Sequence, residues 1–262
     1  MILDEILANK RREVAARRAR RPAFRVSGLA APRSFAYALR QPGVSVIAEF
    51  KRRSPSGGDL LRPGVSPADV ARMYSANGAA ALSVLTDSTY FGGDDADLRE
   101  ARTASGLPAL RKDFIVDPYQ VYETRAIGAD AVLLIVRALA DAELVKFLAV
   151  ARSLGLDALV ETHSEDEVRR ALDAGATIIG VNNRDLDTLK TDVSLAPRLR
   201  SLVPSTCAFV AESGISSPEQ IAALQDAGVD AVLIGEALLR SPDAGALLSQ
   251  LVEAGQPGAV RA

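Results

Sequence analysis

Ala126-Ile127-Gly128-Ala129-Asp130-Ala131-Val132 returns, with small changes, as Asp173-Ala174-Gly175-Ala176-Thr177-Ile178-Ile179, as Asp226-Ala227-Gly228-Val229-Asp230-Ala231-Val232 and as Ala76-Asn77-Gly78-Ala79-Ala80-Ala81-Leu82. Each copy reads as the end of a helix, a glycine, then an apolar strand. Glycine suits the middle position because the residue just past a helix often turns left-handed, where a Cβ costs energy. The runs that follow, at 80–85, 131–136, 178–181 and 231–234, are nearly continuously apolar, as parallel strands covered on both faces are. Further runs at 44–50, 108–110, 158–160 and 208–210 bring the strands to eight, with helical patterns such as 142–154 and 218–227 between them. A spacing of roughly 20 to 35 residues per unit fits a strand, a helix and two loops. The expected fold is therefore α/β, a single (β/α)₈ TIM barrel, with an open doubly wound sheet as the alternative.

A chain of 262 residues suits such a barrel, and no linker or low-complexity tract divides it. Residues 1–43 are expected as a helical extension packed on the barrel, 44–254 as the barrel, and 255–262 as a flexible tail. With 48% apolar residues, 24% charged residues and a net charge of -2, the chain offers no field that would draw nucleic acid or an anionic membrane. The lone Cys207 excludes an internal disulfide, and no apolar run approaches the roughly 20 residues that span a bilayer. The Arg-rich N-terminal segment carries Asp4, Glu5 and Glu13, which a transit peptide would lack, and Arg17, Arg18, Arg20 and Arg21 read as a solvated helix face. A cytoplasmic protein with an intact N-terminus, monomeric or weakly homo-oligomeric, is the expectation.

In such barrels, chemistry sits at the C-terminal ends of the strands. Strand one ends Ala48-Glu49-Phe50-Lys51 and continues Arg52-Arg53-Ser54-Pro55-Ser56-Gly57-Gly58; strand three ends Leu110-Arg111-Lys112-Asp113-Phe114. Strand five ends in Glu161, strand six in Asn182-Asn183-Arg184-Asp185, strand seven in Glu212-Ser213-Gly214 and strand eight in Gly235-Glu236. Ionisable groups gathered on one rim are a site rather than scattered core charges, which would be costly to bury separately. Basic positions are mostly Arg, with lysine confined to Lys10, Lys51, Lys112, Lys146 and Lys190. Lys51 and Lys112 stand at strand ends, where an ammonium can donate a proton and a guanidinium cannot; a structural ion pair is the plainer alternative. The loops Ser213-Gly214 and Gly235-Glu236 would present backbone N–H groups to an anion, and phosphate is the expected ligand. His163, the single histidine, reads as a polar residue of the loop into the next helix, where Ser164 and Glu167 match a capping box. One His and one Cys in unrelated positions make no zinc site.

These strand ends closely resemble those of the indole-3-glycerol phosphate synthases. The resemblance rests on Ile47 through Ser56, Leu110 through Ile115, Val132 through Ile135, Val160-Glu161, Gly180 through Leu186 and Ala211 through Ile215, and runs in order from about Ser34 to Arg240. It implies a lyase of tryptophan biosynthesis that converts 1-(2-carboxyphenylamino)-1-deoxyribulose 5-phosphate into indole-3-glycerol phosphate, losing carbon dioxide and water without a cofactor or metal. Lys112 matches the acid that protonates the ketone during ring closure, and Glu161 the carboxylate acting as acid or base. Glu49 and Lys51 match a pair whose lysine also meets the substrate carboxylate, while Asn182, Glu212 and Ser213 match residues that orient the substrate. Ser54, Arg184, Gly214, Gly235 and the backbone of Glu236 match the phosphate site, and Phe91, Phe114, Leu133, Ile135 and Leu186 the apolar wall around the anthranilate ring. Two departures concern affinity: Gly57-Gly58 stands where relatives often carry a lysine, and the chain lacks the Trp that some relatives place in the N-terminal extension. The rivals are a phosphoribosylanthranilate isomerase, whose family uses a cysteine at the end of strand one, and a non-catalytic barrel that holds a sugar phosphate.

Overall fold

A computed structural model describes residues 2–55, 57–61, 64–185 and 188–258. Eight strands close into one parallel barrel: β1 (Ser45–Phe50), β2 (Ala81–Leu85), β3 (Ala109–Lys112), β4 (Ala131–Ile135), β5 (Asp157–Thr162), β6 (Ile178–Asn182), β7 (Ala208–Glu212) and β8 (Ala231–Ile234). Each strand pairs with its sequence neighbours, and β1 closes the ring against both β8 (Ser45↔Ala231) and β2 (Ile47↔Ala81). An open sheet is thereby excluded. The four repeated glycines, Gly78, Gly128, Gly175 and Gly228, all have φ between 79° and 89°, so each copy of the repeat is the helix-to-strand joint expected of it. The aspartate in two copies has its own task. Asp130 Oδ2 accepts the N–H of Ala109 at 2.9 Å and Asp230 Oδ2 that of Phe209 at 2.7 Å, which satisfies a donor at the start of the neighbouring strand.

Alternation along the strands sorts the apolar residues into two cores. Ile47, Leu110, Leu133, Leu159, Ile178, Val210 and Leu233 point into the barrel. Val46, Val84, Val132, Val160, Ile179, Phe209 and Val232 point out, against the surrounding helices. Following the inward parity up each strand leads to Glu49, Ser83, Lys112, Glu161, Asn182 and Glu212, so the topmost layer of the interior is polar.

Two N-terminal helices close the barrel. In α2 (Phe35–Leu39), Phe35 and Leu39 are fully buried against the lower interior, and Ala36 N–H donates to Asp157 at the foot of β5. Helix α1 (Ile2–Arg20) lies at the other end. Its Leu3, Ile6, Leu7, Lys10 and Val14 are buried in an otherwise charge-rich helix, and Lys10 Nζ sits 2.7 Å from Asp87 and 3.0 Å from Asp113. Burial works against the Lys10 charge, but Asp113 and Asp87 outweigh it and hold the ammonium above its ordinary range. Asp113 in turn pairs with Arg111, fully buried on the outward face of β3 and also bonded to Glu123 at 2.9 Å. This ionic cluster clamps α1 to the β2 and β3 rims.

The helices between strands are α3 (Pro67–Ala76), α4 (Ser88–Phe91), α5 (Asp95–Ser105), α6 (Pro118–Ala126), α7 (Asp141–Ser153), α8 (Glu165–Asp173), α9 (Leu195–Leu199) and α10 (Pro218–Asp226), and α11 (Glu236–Arg240) and α12 (Ala244–Ala254) follow β8. Two details depart from the sequence expectations. A two-residue hairpin pairs Arg53 and Ser54 with Asp59 and Gly58, where a plain loop was expected. The capping box at α8 is half formed: Ser164 Oγ accepts Glu167 N–H, but the Glu167 carboxylate takes the N–H of His163 instead of that of Ser164. Past α12, Gly255 O still accepts the N–H of Val44 at 2.8 Å; residues 259–262 of the expected tail lie outside the described residues.

Candidate active site

The polar top layer opens into a cavity of about 350 Å³ at the C-terminal ends of the strands. Of the residues singled out in the sequence, Glu49, Lys51, Ser54, Phe91, Lys112, Phe114, Leu133, Ile135, Glu161, Asn182, Arg184, Glu212, Ser213, Gly214, Gly235 and Glu236 all line it. Leu186, expected in the apolar wall, and Ser56 of the strand-one motif lie outside the described residues.

Lys112 occupies the floor. Its Nζ lies 2.7 Å from Glu161 Oε2 and 3.4 Å from Glu212 Oε2. Burial disfavours its charge, but Glu161, Glu212 and Glu49 reverse that and raise it well above the ordinary lysine range, so the ammonium is the resting form. The two carboxyls respond differently. Burial alone would raise Glu161, but Lys112 and then His163 hold it below its usual value; Asn182 Nδ2 also donates to Glu161 Oε1 at 3.3 Å. Burial pushes Glu212 up to about 7, helped by the neighbouring Glu161 and Glu49 charges against the pull of Lys112. One cation thus faces one firmly ionised carboxylate and one carboxyl poised near neutrality, the separation that suits paired acid and base work.

On β1, Lys51 Nζ lies 2.6 Å from Glu49 Oε1, and Ser83 Oγ donates to Glu49 Oε2 at 3.3 Å. Space for these carboxylates depends on glycine. A Cβ on Gly180 would collide with Glu212 Oε1, and one on Gly235 with Glu49 Oε1. The resemblance marked Gly235 for phosphate; the structure adds this steric duty.

Ser213, with φ 67°, and Gly214, with φ 80°, are consecutive left-handed residues, the first held by Asn183 Nδ2 donating to its carbonyl at 3.0 Å. A non-glycine residue in that conformation is strained, a cost tolerated where backbone must be aimed. Gly235 caps α11, and the Arg184 guanidinium stands 3.6 Å from Glu236 Oε2. Opposite, Ser54 is buried at the hairpin and accepts Gly57 N–H at 2.9 Å. The apolar side pairs Phe91 with Phe114, ring centroids 6.1 Å apart, beside Leu133 and Ile135. The whole is a slot with two lysines set among three carboxyls at the inner end, an aromatic wall and a backbone-rich rim. Among the described residues no group of three or more His, Cys, Asp or Glu has the arrangement to hold a metal ion.

Sequence reasoning missed three features. Leu3 and Ile6 of α1 line the cavity mouth; their signal was the stripe of apolar residues three and four apart in an Arg-rich helix. Ser83 had none, being one small residue inside an apolar run. His163, expected as a polar residue of the loop into the next helix, is buried with Nε2 3.5 Å from Glu161 Oε1. Two residues past an inward carboxylate it keeps the inward parity, and that was the available sign.

Comparison with known proteins agrees with this geometry. Residues 3–251 match the family model of indole-3-glycerol phosphate synthase. Indole-3-glycerol phosphate synthase 2 of Streptomyces coelicolor is 49% identical over 255 residues, covering 96% of this chain and 98% of the relative. The synthase of Kineococcus radiotolerans is 46% identical, covering 100% and 98%, and that of Mycobacterium ulcerans 48%, covering 97% and 94%. Among solved structures, thiamine phosphate pyrophosphorylase from Pyrococcus furiosus superposes with a TM-score of 0.61 over 80% of this chain and 95% of its own, at 16% identity, which speaks to the barrel alone. Identity near one half over nearly the whole chain, on a barrel whose strand ends meet in one slot, makes this chain a member of the indole-3-glycerol phosphate synthase family.

Proposed function

We propose that this barrel closes and decarboxylates 1-(2-carboxyphenylamino)-1-deoxyribulose 5-phosphate to indole-3-glycerol phosphate. The observation that carries the reading is the Lys112 ammonium set between Glu161 and Glu212 at the floor of a slot whose rim carries Ser213, Gly214 and Gly235. The ring carbon bearing the carboxylate attacks the ketone carbon, and Lys112 delivers a proton to the ketone oxygen as charge develops there. Carbon dioxide then leaves and the arene is restored. The new hydroxyl departs as water while the methylene carbon beside nitrogen gives up a proton, and the Glu161 and Glu212 carboxyls flank these transfers. Lys51, beside Glu49, meets the substrate carboxylate; Asn182 and Ser213 orient the chain of the sugar. Ser54, Arg184, Gly214, Gly235 and the N–H of Glu236 hold the phosphate. Phe91, Phe114, Leu133 and Ile135 cover the anthranilate ring and keep water from it. The reaction needs no cofactor, because the aromatic amine itself supplies the electrons for the new carbon–carbon bond.

The substrate is a small anionic anilino-sugar phosphate, and the setting we propose is tryptophan biosynthesis in the cytoplasm, by a monomer or weak homo-oligomer without nucleic-acid or membrane partners. A net charge of -2 and a single unpaired cysteine fit that setting. Incubation with the anilino-deoxyribulose phosphate while indole fluorescence is followed tests the reaction directly. The chain contains no Trp, so product emission rises against a low background. Folded protein that produces no rise would remove the assignment.

A further inference from the structure

We propose that His163 is a positioning residue that also passes protons from a second cavity to Glu161, restoring the proton that each turnover takes from Lys112. The inference rests on the reaction proposed above, whose balance creates the need. The substrate enters as a carboxylate; the proton gained by the departing hydroxyl and the one lost from the methylene carbon cancel. What remains is the proton that Lys112 puts on the ketone oxygen. One proton is therefore consumed per turnover, at a group buried beneath the bound substrate.

The geometry supplies a route from the side. Glu161 presents Oε2 to Lys112 at 2.7 Å and Oε1 to His163 Nε2 at 3.5 Å, inside ion-pair reach though short of hydrogen-bond geometry. His163 is buried, and Nε2 has no hydrogen-bond partner among the described residues. The rest of the ring is fixed. Nδ1 lies 3.3 Å from Glu167 Oε2, the backbone N–H of His163 donates to that same oxygen at 2.8 Å, and Arg137 Nε donates to Glu167 Oε1 at 3.1 Å. A carboxylate only accepts, so Nδ1 carries a hydrogen. A neutral ring would then aim its lone pair at the Glu161 oxygen. A proton held between Nε2 and Oε1 turns that repulsion into attraction, so the site is built for one.

His163 also lines a second cavity of about 340 Å³, walled by Asn183, Asp185, Lys190, Thr191 and Asp192. Lys190, Thr191 and Asp192 are exposed, so this cavity meets solvent at the loop between β6 and α9. Asn182 separates the two cavities and lines both. The relay runs in balanced steps. The imidazolium gives its Nε2 proton to Glu161 Oε1, rotation of the carboxyl hands that proton to neutral Lys112, and the bare Nε2, with Nδ1 still bonded to Glu167, takes one back from a water admitted through the second cavity.

The test separates single turnover from steady state in the full chain. With Lys112 charged at the start, His163→Ala should slow a single turnover far less than it slows the steady state, which should fall roughly tenfold or more, with a larger solvent deuterium isotope effect. Free imidazole should restore the steady-state rate of His163→Ala, and His163→Gln, which titrates no proton, should show the same steady-state loss. Wild-type steady-state rates in both variants, or single-turnover and steady-state rates falling together without imidazole rescue, would overturn the relay. Absence of indole product from the wild type would instead sink the reaction on which it rests.

Discussion

Replacing Lys112 separates proton donation from charge. In Lys112→Met the cation is lost between two buried carboxyls at 2.7 and 3.4 Å. At an effective dielectric near 20 those separations correspond to about 6 and 5 kcal/mol of attraction, before the cost of burying the charges is subtracted. Removing one member of such a buried pair leaves a net loss of about 3–5 kcal/mol of stability. The pH dependence should reverse as well. In the wild type Glu161 is held below its usual value, so its contribution is present above the unfolded pKa and is lost as pH falls through the folded one. Without Lys112, burial raises the folded-state pKa, and that contribution is lost as pH rises instead. Denaturant melts at pH 5 and pH 8 should therefore show Lys112→Met more strongly destabilised at pH 8. Lys112→Arg keeps the charge and should lose less stability, yet both variants should lose about a hundredfold or more in turnover, the worth of a positioned acid. Near-normal turnover in Lys112→Arg, with Lys51→Arg inactive, would refute the reasoning and exchange the two lysines' roles.

Glu212→Gln should raise stability at pH 8: its folded-state pKa is pushed from 4.5 to about 7, so this carboxyl costs stability as pH rises through that window, and denaturant melts across it should lose that slope. Gly180→Ala brings a methyl against Glu212 and should cost about 1–3 kcal/mol by over-packing, with turnover falling more than binding of a non-reactive analogue. Arg184→Ala should raise KM more than it lowers kcat, because a phosphate remote from the reacting bond offers mostly uniform binding; lower kcat at unchanged KM would remove Arg184 from the phosphate site. Neither zinc nor a chelator should change the rate, and activity lost in chelator and regained with metal would contradict this.

Much of this molecule could be read along the chain because its physics is local. The repeated glycine joint requires a left-handed residue between each helix and strand, and Gly78, Gly128, Gly175 and Gly228 all adopt it. Alternation does the rest: residues two apart share a face, so Ile47, Glu49 and Lys51, or Leu110 and Lys112, point into the same interior. A closed parallel barrel aligns all strand ends on one rim, which is why Glu49, Lys112, Glu161, Asn182 and Glu212, scattered over more than half the chain, meet at one cavity.

Tertiary structure alone decided what depends on distance between elements. That α1 swings Leu3 and Ile6 over the mouth follows from Lys10 finding Asp87 and Asp113, an ion pair between separate segments that no local pattern encodes. Glu161 and Glu212 are the same residue type at equivalent strand ends, yet one is held ionised and the other pushed up to about 7. The difference is sub-ångström: Lys112 lies 2.7 Å from the first and 3.4 Å from the second, and His163 faces only the first. The chain alone determined which chemical groups reach the rim, because strand periodicity and the helix-to-strand joint are written in neighbouring residues. How a proton is divided among those groups was left to the folded barrel, because Coulomb energy and desolvation depend on separations and burial that exist only once distant strands are brought together.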